Sequence, residues 1–399
     1  MFLLKLLQRN PEFIKATIAL HQEGKIPPNS YVLDLDTMGK NAALLAAEGK
    51  RFGLKVFPMT KQFGRNPKAM GVLAQHGLNQ YVAVDMSCAI PIHQSGYKVG
   101  HIGHLVQIPV SETTAAASFI PAYWTVFNDE KAIAAAKAAG NIGRNQALLA
   151  RLFASGDIFY MGHEGGFHAE DILAVADRMD ALPNAHFAGI TTFPALLFDG
   201  KTLSVNPTPN LKTLETALSV LQKAGRSNVE VNAPGTTSKV VMEMLANAGA
   251  TQVEPGHSLT GTTPLHAVQD LPEDPAVLYL SEISHIHNGH PYCFGGGLYI
   301  DPVFPDYDIH VLTGKTGEIA MKQSISVKIP PPSAIDYYGI LAPDGNQKVE
   351  VGDSVIFGFR VQAFVTRAYV VPVSGLTNGQ PVVEGIYTSD GRKTEWPKW

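Results

Sequence analysis

Between about residue 54 and residue 256, short apolar, β-branched runs alternate with longer stretches of helical period, which is the signature of parallel strands joined by crossover helices. Eight runs recur: Lys55–Thr60, Gln80–Val84, Leu105–Ile108, Tyr123–Phe127, Ala147–Phe153, His186–Thr192, Val229–Ala233 and Thr251–Glu254. Between them lie helical stretches at Asn66–His76, Asn128–Ala139, Ala169–Met179, Leu211–Ala224 and Thr237–Ala248; Gly140, Gly225 and Gly249 follow three of these where a left-handed turn ends a helix. The pattern predicts an α/β fold with a (β/α)8 TIM-type barrel, and a doubly wound open sheet is the alternative. After about residue 267 the runs shorten and alternate (Ala276–Ile283, His310–Leu312, Ser324–Lys328, Ser354–Phe359, Ala368–Val373), which reads as a C-terminal antiparallel β domain. The expected division is residues 1–37 as an N-terminal helix and strand packing with the β domain, 38–266 as the barrel and 267–399 as the β domain.

Composition narrows the function. With 31 basic and 35 acidic residues, a net charge of -4 and no long run of either sign, the chain offers no electrostatic surface for nucleic acid or anionic lipid. No stretch approaches the roughly 20 apolar residues of a membrane span. The opening Met1–Asn10 has too short an apolar run for an export signal. Cys88 and Cys293 make no disulfide framework, so a cytoplasmic protein with a small-molecule substrate is expected.

In a parallel barrel the C-terminal strand ends share one mouth, so their residues are read together. Lys61 follows the first run; an amine desolvated there loses its proton near neutral pH and attacks an aldehyde. Phe193, after the sixth run, offers a face for a flat aromatic cofactor or else belongs to the core. Gly235, Thr236, Thr237 and Ser238 follow the seventh run and suit a phosphate, although Thr237 or Ser238 capping a helix is an equal reading. Glu254, Gly256 and His257 follow the eighth; the two latter add backbone donors, and an enclosed Glu254 needs a cationic partner. His163 lies past the fifth run, in reach of substrate or ring or as a cap. Amine, aromatic face, anion site and carboxylate together match the needs of pyridoxal 5'-phosphate.

At these residues the chain resembles the alanine-racemase-like family of fold-type III pyridoxal-phosphate enzymes, and within it a bacterial branch called YhfX-type. Tyr31–Asp36 followed by Asn41 is similar to the family's opening strand, Lys61 falls at its cofactor lysine, and Phe63-Gly64 follow as the pattern asks. Thr192-Phe193 stands where racemases carry Thr-His; Pro234–Ser238 is similar to the phosphate loop of the D-threonine aldolase and D-serine dehydratase branch; Val253–Gly261 overlays the racemase segment after the last strand. Two residues depart from that pattern: Glu254 replaces the arginine beside the pyridine nitrogen, and Thr260 replaces a tyrosine. A carboxylate there favours the protonated ring by a few kcal/mol of Coulomb attraction, which strengthens the cofactor as an electron sink.

The resemblance implies an amino-acid racemase or epimerase, active as a homodimer, with Lys61 moving the proton on one face of the α-carbon and a β-domain tyrosine on the other. Tyr292, Tyr299, Tyr337 and Tyr338 are the candidates, each of which is otherwise a turn residue. The runner-up is a D-amino-acid aldolase or dehydratase, assisted by a metal if His285, His287, His290 and Cys293 bind one; a polar strand and turn is the plainer account of that tract, and no metal is assigned. The remaining reading is a cofactor-binding homeostasis protein, as in barrel-only relatives. Arg65 and Arg151 are the cations near strand ends available to a substrate carboxylate.

Overall fold

A computed structural model of the chain describes residues 1–299, 301, 303–304, 308–331, 333–360 and 366–395. Two compact units form, one from residues 1–42, 61–73 and 257–399, the other from residues 43–60 and 74–256.

The second unit is a (β/α)8 barrel. Among the described residues the strands along its barrel are, in chain order, Lys55–Val56, Gln80–Ala83, Lys98–Ile102, Tyr123–Val126, Gln146–Phe153, Ala185–Thr191, Glu230–Asn232 and Gln252–Val253, and the short Phe167–His168 pairs parallel with the fifth off that path. The eighth pairs with the first through Gln252–Lys55 and Val253–Val56, and a bridge from Met59 to Val82 joins the first to the second, so the sheet closes. Most strand residues are buried, under helices outside and their own side chains inside, which is why the strand sequences read mainly as apolar runs and not alternations. Asp129–Gly140 shows how an outer helix is specified: Asn128 accepts a hydrogen bond from the Lys131 amide at 2.9 Å, Asp129 and Glu130 sit in the first turn, and Ala132, Ala135, Ala136 and Ala139 give a flat buried face.

Two sequence expectations need correction. The third strand is Lys98–Ile102 and not Leu105–Ile108. Residues 103–109 are loop, turned by Gly103 at φ +74°, where a Cβ would meet the Thr125 carbonyl at 2.9 Å, and tied down by Gln107, whose amide donates to the carbonyls of Gly103 (2.9 Å) and Thr125 (3.1 Å). Gly100 and His101 dilute the apolar signal of the true strand, whereas a glycine is wanted at 100 because a Cβ would press 2.8 Å from the Phe57 ring. The helix expected over Thr237–Ala248 begins later, as a 3-10 turn at Lys239–Val241 followed by Met242–Asn247.

The first unit is built on an antiparallel β-barrel. His290–Phe294, Tyr338–Ala342, Ser324–Lys328, His310–Gly314, Ser354–Phe357 and Val277–His287 pair in that order, and the last returns to the first. Ser30–Asp34 lies between Val277–His287, antiparallel, and Tyr369–Ser374, parallel. The helices Phe2–Arg9 and Pro11–Gln22 bury Leu6, Phe13, Ile14 and Ile18 against Val32, Leu278, Leu280 and Ile356. No helix among the described residues is long and apolar enough to cross a membrane.

Leu149 is fully buried in the fifth barrel strand. Leu149→Ala is expected to cost about 2–5 kcal/mol, read as a lower urea midpoint by circular dichroism; an unchanged midpoint would remove that strand from the core.

Candidate active site

Inside the second unit, five side chains near the strand ends form one buried polar belt. Thr191 Oγ1 donates to Asn232 Oδ1 at 2.8 Å, Asn232 Nδ2 donates to Glu254 Oε1 at 3.0 Å, and His101 Nδ1 meets the same oxygen at 2.5 Å. His101 Nε2 lies 2.5 Å from Thr125 Oγ1. The belt crosses strands six, seven, eight, three and four, and its registers place it: Asn232 pairs with Thr191, and His101 with Tyr123, two residues before Thr125. Because an ionised carboxylate only accepts, the hydrogen shared with Glu254 belongs to His101 Nδ1.

Glu254 is the charged centre of the belt, and the side chains of Glu254, His101 and His104 are shut off from water. Burial pushes the Glu254 carboxyl upward, but His104 and His101 and the hydrogen bonds from His101 and Asn232 outweigh it, so its pKa falls below the usual value. Its two oxygens differ. Oε1 takes two donors; Oε2 lies 3.3 Å from His104 Nε2 and accepts no aligned hydrogen bond. Among the described residues, His101, His104 and Glu254 are the His, Cys, Asp or Glu side chains whose ligand atoms converge. Two of these, His101 and Glu254, are joined directly by the Nδ1–Oε1 hydrogen bond.

The loop after strand seven presents a second set of unsatisfied groups. Gly235 has φ +135°, and a Cβ there would meet the Leu196 carbonyl at 2.8 Å. Thr236 follows in the left-handed region at φ +46°, and Thr237 and Ser238 are turned into the interior. Ser238 stands at the N-cap position without a side-chain cap bond, and the hydroxyls of Thr237 and Ser238 are buried with no hydrogen-bond partner. Capping is therefore not what these hydroxyls do. Buried hydroxyls left without partners cost about 1–3 kcal/mol each unless something else bonds them.

Phe193 is half-buried, with His104 edge-on at 5.8 Å and the rings of Tyr160 and His163 tilted against it at 5.7 and 5.8 Å. Arg151, completely buried on strand five, donates from Nη2 to the carbonyls of His163 (3.0 Å) and Phe193 (3.1 Å), which fixes the loop after its own strand to the end of strand six. Burial lowers its pKa to about 10, partly opposed by Asp157. Its Nε and Nη1 have no hydrogen-bond partner.

Lys61 opens a 3-10 turn, Lys61–Phe63, two residues along the chain from the bridge residue Met59. Gly256 and His257 follow Glu254 along the chain; His257 opens a 3-10 turn of the first unit. Arg65 is buried and donates to the Ser389 carbonyl at 3.1 Å.

The tyrosines and the His/Cys tract belong to the first unit. Tyr292 stacks on His285 at 4.6 Å, Tyr338 is edge-on to His285 at 5.1 Å, and Tyr299 lies beside Gly297 and Asp336. Cys293 is buried, which pushes its thiol up to about 12, and the tract His285, His287, His290 and Cys293 is an antiparallel hairpin in which His287 faces His290.

The site residues missing from the sequence reading are His101, His104, Asn232, Thr125 and Thr191. His101 and His104 went unseen because strand three was placed seven residues too late; with strand 98–102, a histidine inside a buried run followed by Gly103-His104 is a legible signal.

Comparison with known proteins agrees with this architecture. Residues 33–264 match the alanine racemase N-terminal domain family and residues 278–383 the YhfX-like C-terminal domain family. The chain is 39% identical over 391 residues to the uncharacterized protein YhfX of Escherichia coli (strain K12), covering 98% of this chain and 99% of that one. Among solved structures it is similar to D-threonine aldolase from Filomicrobium marinum (TM-score 0.68, 15% identity, 92% and 96% covered). It is also similar to alanine racemase of Clostridium difficile 630 in complex with cycloserine (TM-score 0.62, 14% identity, 91% and 98% covered). D-threo-3-hydroxyaspartate dehydratase from Delftia sp. HT23 shares the fold too (TM-score 0.62, 15% identity, 90% and 97% covered).

Because folding lowers the Glu254 pKa, its ionised form stabilises the fold above the ordinary carboxyl pKa, and that contribution is lost as pH falls through the lowered value. Thermal stability is expected to drop on acidification below about pH 4.3, with a shallower drop in Glu254→Gln; identical acid limbs in the two proteins would contradict an ionised Glu254.

Proposed function

The chain belongs to the alanine racemase-like family, with that family's N-terminal barrel and a YhfX-like C-terminal domain, and from this premise we propose that it is a pyridoxal 5'-phosphate enzyme acting at the α-carbon of an amino acid. Racemisation or epimerisation is the reaction. The observation that carries the reading is the pairing, on neighbouring strand ends of one barrel, of two buried unbonded hydroxyls with a buried ionised carboxylate that has one oxygen free of hydrogen bonds. The Thr237 and Ser238 hydroxyls would donate to a phosphate, and Glu254 Oε2 would accept from a protonated pyridine nitrogen. Gly235 keeps clear the room that a Cβ would take.

When bound, pyridoxal 5'-phosphate acts as an electron sink that acidifies the α-hydrogen of an attached amino acid. The chain's own residues supply the rest. Lys61 would supply the amine that holds the cofactor through its aldehyde, and would carry a proton at Nζ. Thr237 and Ser238, with the backbone at Gly235, Thr236 and Gly256 and with His257, hold the phosphate. Phe193 and His163 give the ring a face, Glu254 holds the ring nitrogen charged, and Tyr292, Tyr299 or Tyr338 is the second proton carrier, supplied in a homodimer.

A lyase is the second reading, and Glu254 is what favours it. An ionised carboxylate at the ring nitrogen strengthens the electron sink, which serves aldol cleavage and elimination as well as proton exchange. The D-threonine aldolase and the dehydratase that share this fold fit that reading.

Two experiments test the assignment. Borohydride reduction of the protein with pyridoxal 5'-phosphate, followed by peptide mass spectrometry, is expected to place one pyridoxyl group on Lys61 and none in Lys61→Ala; a label on another residue alone ends the proposal. In deuterium oxide, a panel of amino acids is expected to include at least one that takes up α-deuterium, and chiral chromatography of the product then shows loss of optical purity for a racemase or a carbonyl product for a lyase. No exchange with any amino acid is the outcome that belongs to a cofactor-binding homeostasis protein.

A further inference from the structure

His101 is the one belt member that touches two strands' side chains through both ring nitrogens, Nδ1 to Glu254 and Nε2 to Thr125, each at 2.5 Å. This pins the ring at both ends. A histidine so held has one rotamer and one hydrogen position toward the carboxylate. Its bond and that from Asn232 fall on the same oxygen, Oε1, and leave Oε2 without a hydrogen bond, 3.3 Å from His104 Nε2. We propose that His101 is a positioning residue: spanning Thr125 and Glu254, it fixes the carboxylate so that Oε2 is presented to the ring nitrogen of a bound pyridine, and the protein thereby selects the protonated ring.

The inference rests on the pyridoxal-phosphate reading above and adds to it which residue sets the electronic state of the cofactor. The titratable groups that act on Glu254 are His104 and His101, from strand three and the loop that follows it. Asn232 on strand seven and Thr125 on strand four are neutral. The carboxylate is thus held between two imidazoles and one amide. A permanently charged arginine in that place would refuse a ring N–H; this arrangement accepts one.

The test uses two probes, pyridoxal 5'-phosphate and its carbocyclic analogue in which a C–H replaces the ring nitrogen. Dissociation constants are measured for the full-length protein, His101→Leu and His101→Asn, with melting curves to confirm folding. The wild type is expected to prefer the nitrogen-containing ring by about tenfold or more, the scale of one hydrogen bond to a charged group. His101→Leu is expected to bring the ratio close to one, mainly by weakening pyridoxal 5'-phosphate and not the analogue; His101→Asn, which offers an amide donor to Oε1, recovers part of the preference. A merely structural histidine shifts both ligands alike and leaves the ratio unchanged in His101→Leu, which overturns the inference while Lys61 still takes the label. A wild-type ratio near one overturns it as well. Binding of neither probe, with no label on Lys61, sinks the functional reading and this inference together.

Discussion

A carboxylate without water in the middle of a barrel is the constraint around which the second unit is organised. Left alone, buried Glu254 would take up a proton, because burial raises a carboxyl pKa and the charge is expensive in a low dielectric. The chain meets this with donors from strands three and seven, and the donors are themselves held by hydroxyls on strands four and six. Each bond depends on the parallel register, since a shift of one residue would turn the belt side chains out of the barrel.

The loops at the strand ends follow from equally local demands. Gly103 makes the turn that brings His104 to the carboxylate, and Gly235 lets the chain pass against Leu196 before the two buried hydroxyls. Arg151 ties the loop after strand five to the end of strand six through carbonyls and not carboxylates, so its charge is left uncompensated at hydrogen-bond distance and burial lowers its pKa. Buried polar atoms without a hydrogen-bond partner are rare in folded proteins, and Arg151, Thr237, Ser238 and Glu254 each carry at least one near the ends of strands five, seven and eight.

The shared fold does not choose the reaction. Structures that align over nine-tenths of the chain include an alanine racemase, a D-threonine aldolase and a dehydratase, which is what a barrel that supplies a common mouth and variable side chains would produce. What differs here from the racemase pattern is the sign of the charge placed at the end of strand eight. Under the proposed function, that sign would set how strongly a bound pyridine ring draws electrons, and so it would bear on reaction type more directly than the overall similarity does.

Much was legible in the sequence because its signals are local. Seven of the eight barrel strands overlap the apolar runs, and Gly225 and Gly249 follow their helices at positive φ as expected, whereas Gly140 is the last residue of its helix and the left-handed glycine there is Gly143. Lys61, Phe193, the Gly235–Ser238 loop and Glu254 are site candidates on residue type and position after a strand, and their roles rest on the proposed function. The third strand was hidden because Gly100 and His101, which belong there for reasons of close approach and hydrogen bonding, look unlike strand residues. What only the tertiary structure decided is the company each residue keeps: that His101 and Glu254, 153 positions apart, share a proton, and that the Ser238 hydroxyl caps nothing. Composition and periodicity fix which residues are buried in a strand; the distance between two side chains on different strands depends on register and closure, which no single stretch of chain contains.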